Sequence, residues 1–193
     1  MNQQTQQDGD DPTPHDGTDH HADDASTHDA DPVQALEETV GVLLQRGIAG
    51  ANWFYWVAGL SLVNSAIILG GGNTQFVVGL GVTLVADVMA LAAAQQNPEA
   101  ATMIKGIVIG FDLIVAAIVF GFGFLSRKRF QFVFALGMFL YLLDGLVFVF
   151  FQDWLSAGFH GFAVWSMWGG FQAFRRIAQI EQALSAGVDV ATN

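Results

Sequence analysis

Five apolar runs follow one another between residues 51 and 176, and each is close to the length that crosses a lipid bilayer. The runs cover residues 53–72, 76–94, 103–125, 130–151 and 154–174. A helix needs about 20 predominantly apolar residues to cross roughly 30 Å of hydrocarbon. Because the runs are continuous and lack the apolar-polar alternation of a membrane β-strand, strands are disfavoured. The sequence predicts an all-α integral membrane bundle of five transmembrane helices, spanning residues 51–176.

The charge of the chain is concentrated at its N-terminus. The net charge is -11, and residues 1–32 contribute nine Asp without any Lys or Arg. The same segment has no Val, Ile, Leu, Phe, Tyr or Trp, so it has too little apolar surface to offset the entropy of ordering it. We expect residues 1–32 to be a disordered acidic tail, in which four His are better explained as part of a solvated spacer than as a metal site.

Residues 33–50 are typical of a short amphipathic helix. Asp31 is in place to cap it and Pro32 to occupy its first turn. Apolar residues then recur at helical spacing on one face. We expect this helix to end near Gly47 and Gly50, and to lie on the membrane surface or against the bundle.

The predicted spans differ in how readily they insert. The second contains Asp87 among nine large apolar residues, and the fifth is diluted by Gly, Ser, Gln172 and His160, so both depend on their neighbours. For the fifth segment, a helix lying on the surface is the main alternative. The connections at residues 73–75, 126–129 and 152–153 are short, which predicts tight antiparallel hairpins.

The basic residues predict an orientation. With five spans, five Lys and Arg fall on one side of the membrane and Arg46 and Lys105 on the other. Since short cytoplasmic segments are enriched in Lys and Arg, we expect a cytoplasmic C-terminus, with residues 177–193 forming a short cytoplasmic segment, and an N-terminus outside the cell membrane.

The apolar spans contain several polar side chains, which are costly at this depth and usually face the bundle interior. The candidate intramembrane polar cluster consists of Asp87, Asp112, Asp144, His160, Tyr141 and Asn64. Counted along the helices, the three Asp and His160 fall in one layer in the outer half of the membrane. Three interpretations stay open: hydrogen bonding between helices, a proton or cation pathway, and a metal site of His160 with two or three Asp.

Two further patterns concern packing. Gly106 and Gly110 form a small-xxx-small pair, which predicts close approach of another helix in the third span. Trp165 and Trp168 lie deep in the fifth segment, where packing against lipid is favoured over stacking on a ligand.

Several functions lack any supporting feature in the sequence. There is no Cys, which excludes thiol catalysis and Cys-ligated metal centres, and there is no nucleotide-binding or hydrolase motif. Seven basic residues make no broad patch for nucleic acid. We therefore expect no enzyme activity, cofactor or nucleic-acid partner. The expected partners are the lipid bilayer and another membrane protein or a second copy of the chain.

One stretch, residues 137–170, resembles a recurrent arrangement in bacterial multi-pass membrane proteins of unassigned activity. The resemblance rests on Tyr141-Leu-Leu-Asp144-Gly145, Gln152-Asp153-Trp154, Phe159-His160-Gly161-Phe162-Ala163 and Gly169. It implies membrane residence and no particular activity. The favoured class is a non-enzymatic accessory or assembly component. The alternatives are a small proton or cation transporter or channel, and a membrane-embedded metal-binding enzyme.

Overall fold

The computed structural model describes residues 31–72 and 79–191, with side chains to residue 187, and no strand occurs in this part of the chain. Its five helices are α1 (Pro32–Leu69), α2 (Gly81–Gln96), α3 (Ala101–Arg127), α4 (Gln131–Phe150) and α5 (Trp154–Ala191), with a 3₁₀ turn at Pro98–Ala100. The all-α prediction is confirmed. The predicted acidic tail lies outside the described residues apart from its last two.

The amphipathic segment and the first apolar run form one helix, α1. Its start agrees with the sequence, because the Asp31 carboxylate accepts a 3.0 Å hydrogen bond from the backbone N–H of Val33. The predicted end near Gly47 and Gly50 is wrong. Both glycines are buried inside the helix, where a side-chain carbon at position 50 would lie 2.7 Å from Cα of Gly170. These glycines therefore let α1 and α5 approach closely instead of ending α1.

The long helices alternate in direction. The rings of Tyr55 and Phe120 are 4.5 Å apart, and Lys105 Nζ donates to the carbonyl of Leu69 at 3.2 Å, so α3 is antiparallel to α1. Tight turns follow α3 and α4, and α4 therefore runs with α1 while α5 runs against both. We call one end of the bundle the basic end; it carries Arg46, Arg127, Lys128, Arg129, Arg175 and Arg176. We call the other the distal end; it is where α1 and α4 finish and α3 and α5 begin.

Helix α2 runs parallel to α1. It is joined to α3 by a single 3₁₀ turn and packs antiparallel to it, and α3 is itself antiparallel to α1. The hydroxyls of Ser61 and Thr83 are 2.8 Å apart, and Leu69 and Ala90 share a cluster nearer the distal end, as a parallel pair requires. The predicted antiparallel hairpin of the first two apolar runs is therefore wrong.

The start of α2 lies inside the bundle. The Asn64 side chain occupies the space that a side chain at Gly79 would need, and Asn64 is five residues before the end of α1. Gly79, Leu80 and Gly81 are all buried. From this internal start, α2 extends 16 residues, about 24 Å, towards the distal end. The buried start distinguishes α2 from the other helices.

Three of the described helices, α1, α3 and α4, are long and apolar enough to cross a membrane; α2 is a shorter apolar helix. Helix α5 is outside this set, since Gly, Ser and Gln172 dilute its apolar residues. It is nevertheless continuous from the predicted fifth span into the predicted cytoplasmic segment, and Ile177 belongs to the main buried core. That core lies towards the basic end and is rich in Phe, including Phe54, Phe134 and Phe174.

The predicted packing stripe on α3 does not face a neighbouring helix. Side-chain carbons built at Gly106 and Gly110 would meet nothing within 4 Å. On α2, in contrast, Thr83, Asp87 and Ala90 form a buried face of small and polar residues. Close helix contact in this chain uses Gly50 and Gly170 instead, because a small-xxx-small spacing on a lipid-facing surface has no partner to pack against.

Candidate functional site: buried polar groups around helix α2

Asp144 binds the start of α2 from the neighbouring helix α4. Its Oδ2 accepts the backbone N–H of Gly81 at 2.7 Å and its Oδ1 accepts that of Val82 at 2.9 Å. The residue at the cap position, Leu80, has no side-chain acceptor. The first N–H groups of a helix have no intrahelical partner and carry partial positive charge, so a carboxylate satisfies both requirements. Asp144 is therefore an N-cap supplied from a different helix.

His160 on α5 makes the third polar contact of Asp144. Its Nε2 lies 3.3 Å from Asp144 Oδ2, and its Nδ1 lies 2.8 Å from the carbonyl oxygen of Ser156. A carbonyl only accepts, so Nδ1 carries a proton. Nε2 therefore faces the Asp144 carboxyl, and the two side chains are only 1% and 8% exposed.

Tyr141 contributes its ring to this group rather than its hydroxyl. The ring stacks on that of His160 at a centroid distance of 4.4 Å and an interplanar angle of 21°, and Phe148 packs against His160 at 4.8 Å. The buried Tyr141 hydroxyl has no hydrogen-bond partner among the described residues. Tyr141 and Asp144 are therefore not joined by a hydrogen bond. The two rings instead fix the plane of the imidazole.

Asp153 caps the start of α5 close to His160. Its Oδ2 accepts the Ser156 hydroxyl at 2.6 Å and its Oδ1 accepts the Ser156 backbone N–H at 3.2 Å. Chiefly the hydroxyl hydrogen bond holds the pKa of Asp153 below its ordinary value of 3.8. The Ser156 carbonyl that accepts from His160 has no proton to pass on, so these contacts do not form a continuous proton relay to the distal end.

Asp87 and Asp112 form a second group, between α2 and α3. They are 0% and 2% exposed and lie close enough to interact electrostatically, with the hydroxyl of Ser65 on α1 beside Asp112. None of the four carboxylate oxygens has a hydrogen-bond partner in the described part of the chain, and neither does Ser65 Oγ. Two facing carboxylates in a low-dielectric interior repel each other strongly. No Lys, Arg or His side chain of the described residues forms an ion pair with either carboxylate.

A groove of about 460 Å³ between α1 and α3 reaches Asp112 but not Asp87. Ser65 and Asp112 line its inner part, and Leu69, Gly70 and Lys105 line it towards the end of α1. Lys105 is bound to the carbonyl of Leu69, two turns from Asp112, and makes no ion pair with it. The groove therefore brings the outer surface of the bundle close to Asp112, whereas Asp87 is fully buried.

The predicted layer is thus divided between two sides of α2. Asp144, His160 and Tyr141 surround its first turn, whereas Asp87 and Asp112 meet about two turns further on. Asn64 lies against Gly79, near the first group. Ser61 and Thr83 join α1 to α2 between the two. The sequence analysis missed Ser61 and Ser65, although their spacing to Asn64 places all three on one face of α1.

The predicted metal site is not assembled. Among residues 31–72 and 79–187, no group of three His, Asp or Glu side chains is arranged to hold a metal ion. Of the three Asp, His160 contacts only Asp144, because the other two lie on the far side of α2. The four His of the N-terminal tail lie outside the described residues.

The half of the bundle nearer the basic end is apolar. Phe134 packs on Phe54 at 5.7 Å and on Phe174 at 6.2 Å, and Phe171 adds a further ring at 5.9 Å. Every ionisable side chain of the two groups lies beyond this aromatic layer, towards the distal end.

Comparison of the chain with models of protein families, with curated proteins and with solved structures found no match.

Proposed function

We propose that the protein is a multi-pass membrane protein in which α1, α3, α4 and α5 cross the bilayer and α2 is re-entrant. The crossing parts each comprise about 20 residues between the same two levels, set by Gly50 with Gly170 and by Leu69 with Phe150. Helix α2 begins between these levels and, because Ala90 packs against Leu69, its last six residues extend beyond the distal level. Non-helical backbone at membrane depth is tolerated where protein buries it, as at Gly79 and Leu80. This arrangement replaces the five-span topology.

The direction of the helices supports an orientation in the cell membrane with both termini in the cytoplasm. Six of the seven Lys and Arg lie at the basic end, and Lys105 alone lies at the distal end. This asymmetry, six to one, exceeds the five to two of the five-span topology, and the rule for short segments assigns the basic end to the cytoplasm. The acidic tail then stays on the side where it is synthesised.

For the molecular role, we propose a non-enzymatic accessory or assembly component. The observation that carries this proposal is the contact of Asp144 with Gly81 and Val82, because it uses both oxygens of the carboxylate to hold α2 in place. His160 in turn binds Asp144. Residues that would otherwise serve as an acid and a base are thereby part of the framework. The lipid-facing sides of α3 and α4 remain open to a membrane-protein partner or a second copy.

Proteoliposomes test this role. Wild type, Asp144→Asn and His160→Gln would be reconstituted with a pH-sensitive dye inside, and their unfolding temperatures measured in parallel. We expect both substitutions to lower the unfolding temperature, and all three proteins to give the same proton leak as empty vesicles. The matched control is Gln95→Glu, which adds a carboxylate at an exposed site on α2. A wild-type proton flux that Asp144→Asn abolishes would contradict the accessory role.

The second candidate function is binding of a proton or cation, and the Asp87–Asp112 pair favours it. The pair is buried, has no described cationic partner, and its Asp112 lines a groove that extends towards the distal end. Transport across the whole membrane receives less support, because the aromatic layer of Phe54, Phe134 and Phe174 separates the pair from the basic end. The geometry favours a one-sided site for a single positive charge over a transmembrane pathway.

Thermal unfolding of the purified chain distinguishes the source of that charge. If Na⁺ supplies it, replacing Na⁺ with N-methylglucamine at constant ionic strength lowers the unfolding temperature of wild type and not of Asp112→Asn. If a proton supplies it, the unfolding temperature of wild type falls with rising pH, while Asp112→Asn, which mimics a protonated partner, responds less. Glu38→Gln is the control for an exposed carboxylate. Identical responses of wild type and Asp112→Asn in both series would remove this candidate.

A further inference from the structure

A polar groove runs along the seam between α1 and α5 on the outer surface of the bundle, near the basic end. Its volume is about 360 Å³. The residues that define it are Leu43, Arg46, Trp165, Trp168, Gln172 and Arg176. The groove is separate from both polar groups around α2, which lie beyond the aromatic layer. None of its residues has a part in the contacts of Asp144 or Asp112.

The positive charge in this groove is not neutralised by the described residues. Arg46 and Arg176 make no ion pair within residues 31–72 and 79–187, and both are exposed. Other arginines at the same end are engaged differently. Arg129 is paired with Glu181 at 2.8 Å, and Arg175 lies over the ring of Phe171. The groove therefore presents two guanidinium groups and the Gln172 amide to a ligand that carries negative charge.

The apolar part of the groove continues from the arginines towards the middle of the membrane. Trp168 and Trp165 are 48% and 71% exposed, and they lie one and two turns along α5 from Gln172, respectively. Trp side chains with a polar edge and an apolar face suit the boundary between headgroups and acyl chains. At Gly169, the absence of a side chain leaves the Arg46 guanidinium room against α5. The groove thus changes from basic to aromatic in the direction in which a lipid changes from headgroup to chain.

We propose that this groove binds an anionic membrane lipid, with its phosphate between Arg46 and Arg176 and an acyl chain along Trp165 and Trp168. Guanidinium groups bind phosphate through charge-assisted hydrogen bonds in a fixed planar geometry. Basic pockets between transmembrane helices on the cytoplasmic side are suited to anionic headgroups. The proposal depends on the membrane crossing of α1 and α5 proposed above, and it adds a specific lipid class to the bilayer as a partner.

Quenching of Trp fluorescence by brominated lipids tests the site in the full chain. The protein in non-ionic detergent micelles would be titrated with brominated phosphatidylglycerol or brominated phosphatidylcholine. We expect wild type to be quenched at a lower mole fraction of the anionic lipid, and Arg46→Gln and Arg176→Gln each to raise the half-quenching mole fraction about fivefold. The matched control is Arg127→Gln, which removes one charge from the same end outside the groove and should leave the titration unchanged.

The outcomes separate the proposals. Equal titrations for wild type and the double variant Arg46→Gln/Arg176→Gln, or equal quenching by both lipids, would overturn the lipid site. Displacement of the anionic lipid by millimolar inorganic phosphate would assign the arginines to a soluble anion and would also overturn it. Quenching in vesicles made only of brominated phosphatidylcholine tests insertion, whatever the arginines bind. Its absence would count against the membrane crossing itself, independently of the headgroup preference.

Discussion

Asp144 accepts a hydrogen bond of 2.7 Å from the backbone N–H of Gly81, which lies 63 residues earlier in the chain and on a different helix. The bond joins α4, about 9 Å before its end, to the first turn of α2. Helix starts inside a bundle need such a partner, because water is not present to satisfy their N–H groups. Asp144 thereby makes the internal start of α2 possible.

Removing the Asp144 carboxylate should destabilise the fold. Asp144→Ala leaves the buried N–H of Gly81, and the N–H of the more exposed Val82, without an acceptor, which costs about 2 kcal/mol in unfolding free energy. Asp144→Asn keeps one acceptor oxygen, and we expect about half that loss. Chemical unfolding in detergent measures both values. Leu143→Ala, one residue away and exposed, is the control with a small expected effect; equal losses for Leu143→Ala and Asp144→Ala would show that the cap is unimportant.

The contact of Gly50 with Gly170 predicts a second effect on stability. A methyl group at Gly50 would lie 2.7 Å from the Cα atom of Gly170, so α1 and α5 must separate. We expect Gly50→Ala to lower the unfolding free energy by about 2 kcal/mol. Gly59→Ala on the same helix faces open space, and it should be neutral or stabilise by up to about 1 kcal/mol through helix propensity. A neutral Gly50→Ala, measured by thermal unfolding, would be inconsistent with this packing.

Single cysteines test the proposed topology, since the natural chain has none. Glu38→Cys and Ala183→Cys lie at the basic end on α1 and α5, and Glu99→Cys lies at the distal end. In intact cells, we expect a membrane-impermeant thiol reagent to label Glu99→Cys only. All three should be labelled after the membrane is opened. Labelling of Glu38→Cys but not Ala183→Cys in intact cells would instead support five spans with termini on opposite sides.

The capping of α5 by Asp153 predicts a dependence on pH. The pKa of Asp153 is lowered in the folded protein, chiefly by the Ser156 hydroxyl, so the carboxylate stabilises the fold above the ordinary value of 3.8. This contribution is lost as the pH falls from that value through the lowered pKa. We expect Ser156→Ala to weaken stability at pH 6 by about 1 kcal/mol, with a smaller difference from wild type at pH 2. Unfolding of both proteins at the two pH values measures the change; Ser185→Ala, on the exposed end of α5, controls for loss of a hydroxyl. A difference that does not shrink at low pH would show that the Asp153 charge is not involved.

The sequence was sufficient to predict the structure of a segment wherever interactions within that segment determine it. Continuous apolar residues determine helices in lipid, because every backbone group must be bonded within its segment. The start of α1 also follows locally, since the Asp31 side chain reaches the N–H of Val33 without help from another helix. Thr83, Asp87 and Ala90 could be placed on one buried face of α2 from their spacing alone.

Tertiary structure alone decided the direction of α2 and the division of its polar neighbours. In the sequence, Gly47 and Gly50 are equally compatible with a helix end and with a packing surface. Their contacts with Phe174 and Gly170 show that they form a packing surface. Likewise, Asp144 could have been an acid, a metal ligand or a cap. Its role depends on which N–H groups another helix brings within reach. The spacing of apolar residues does not predict such contacts between helices. Local energetics therefore determined which residues are helical, whereas long-range contacts determined what the buried charges do.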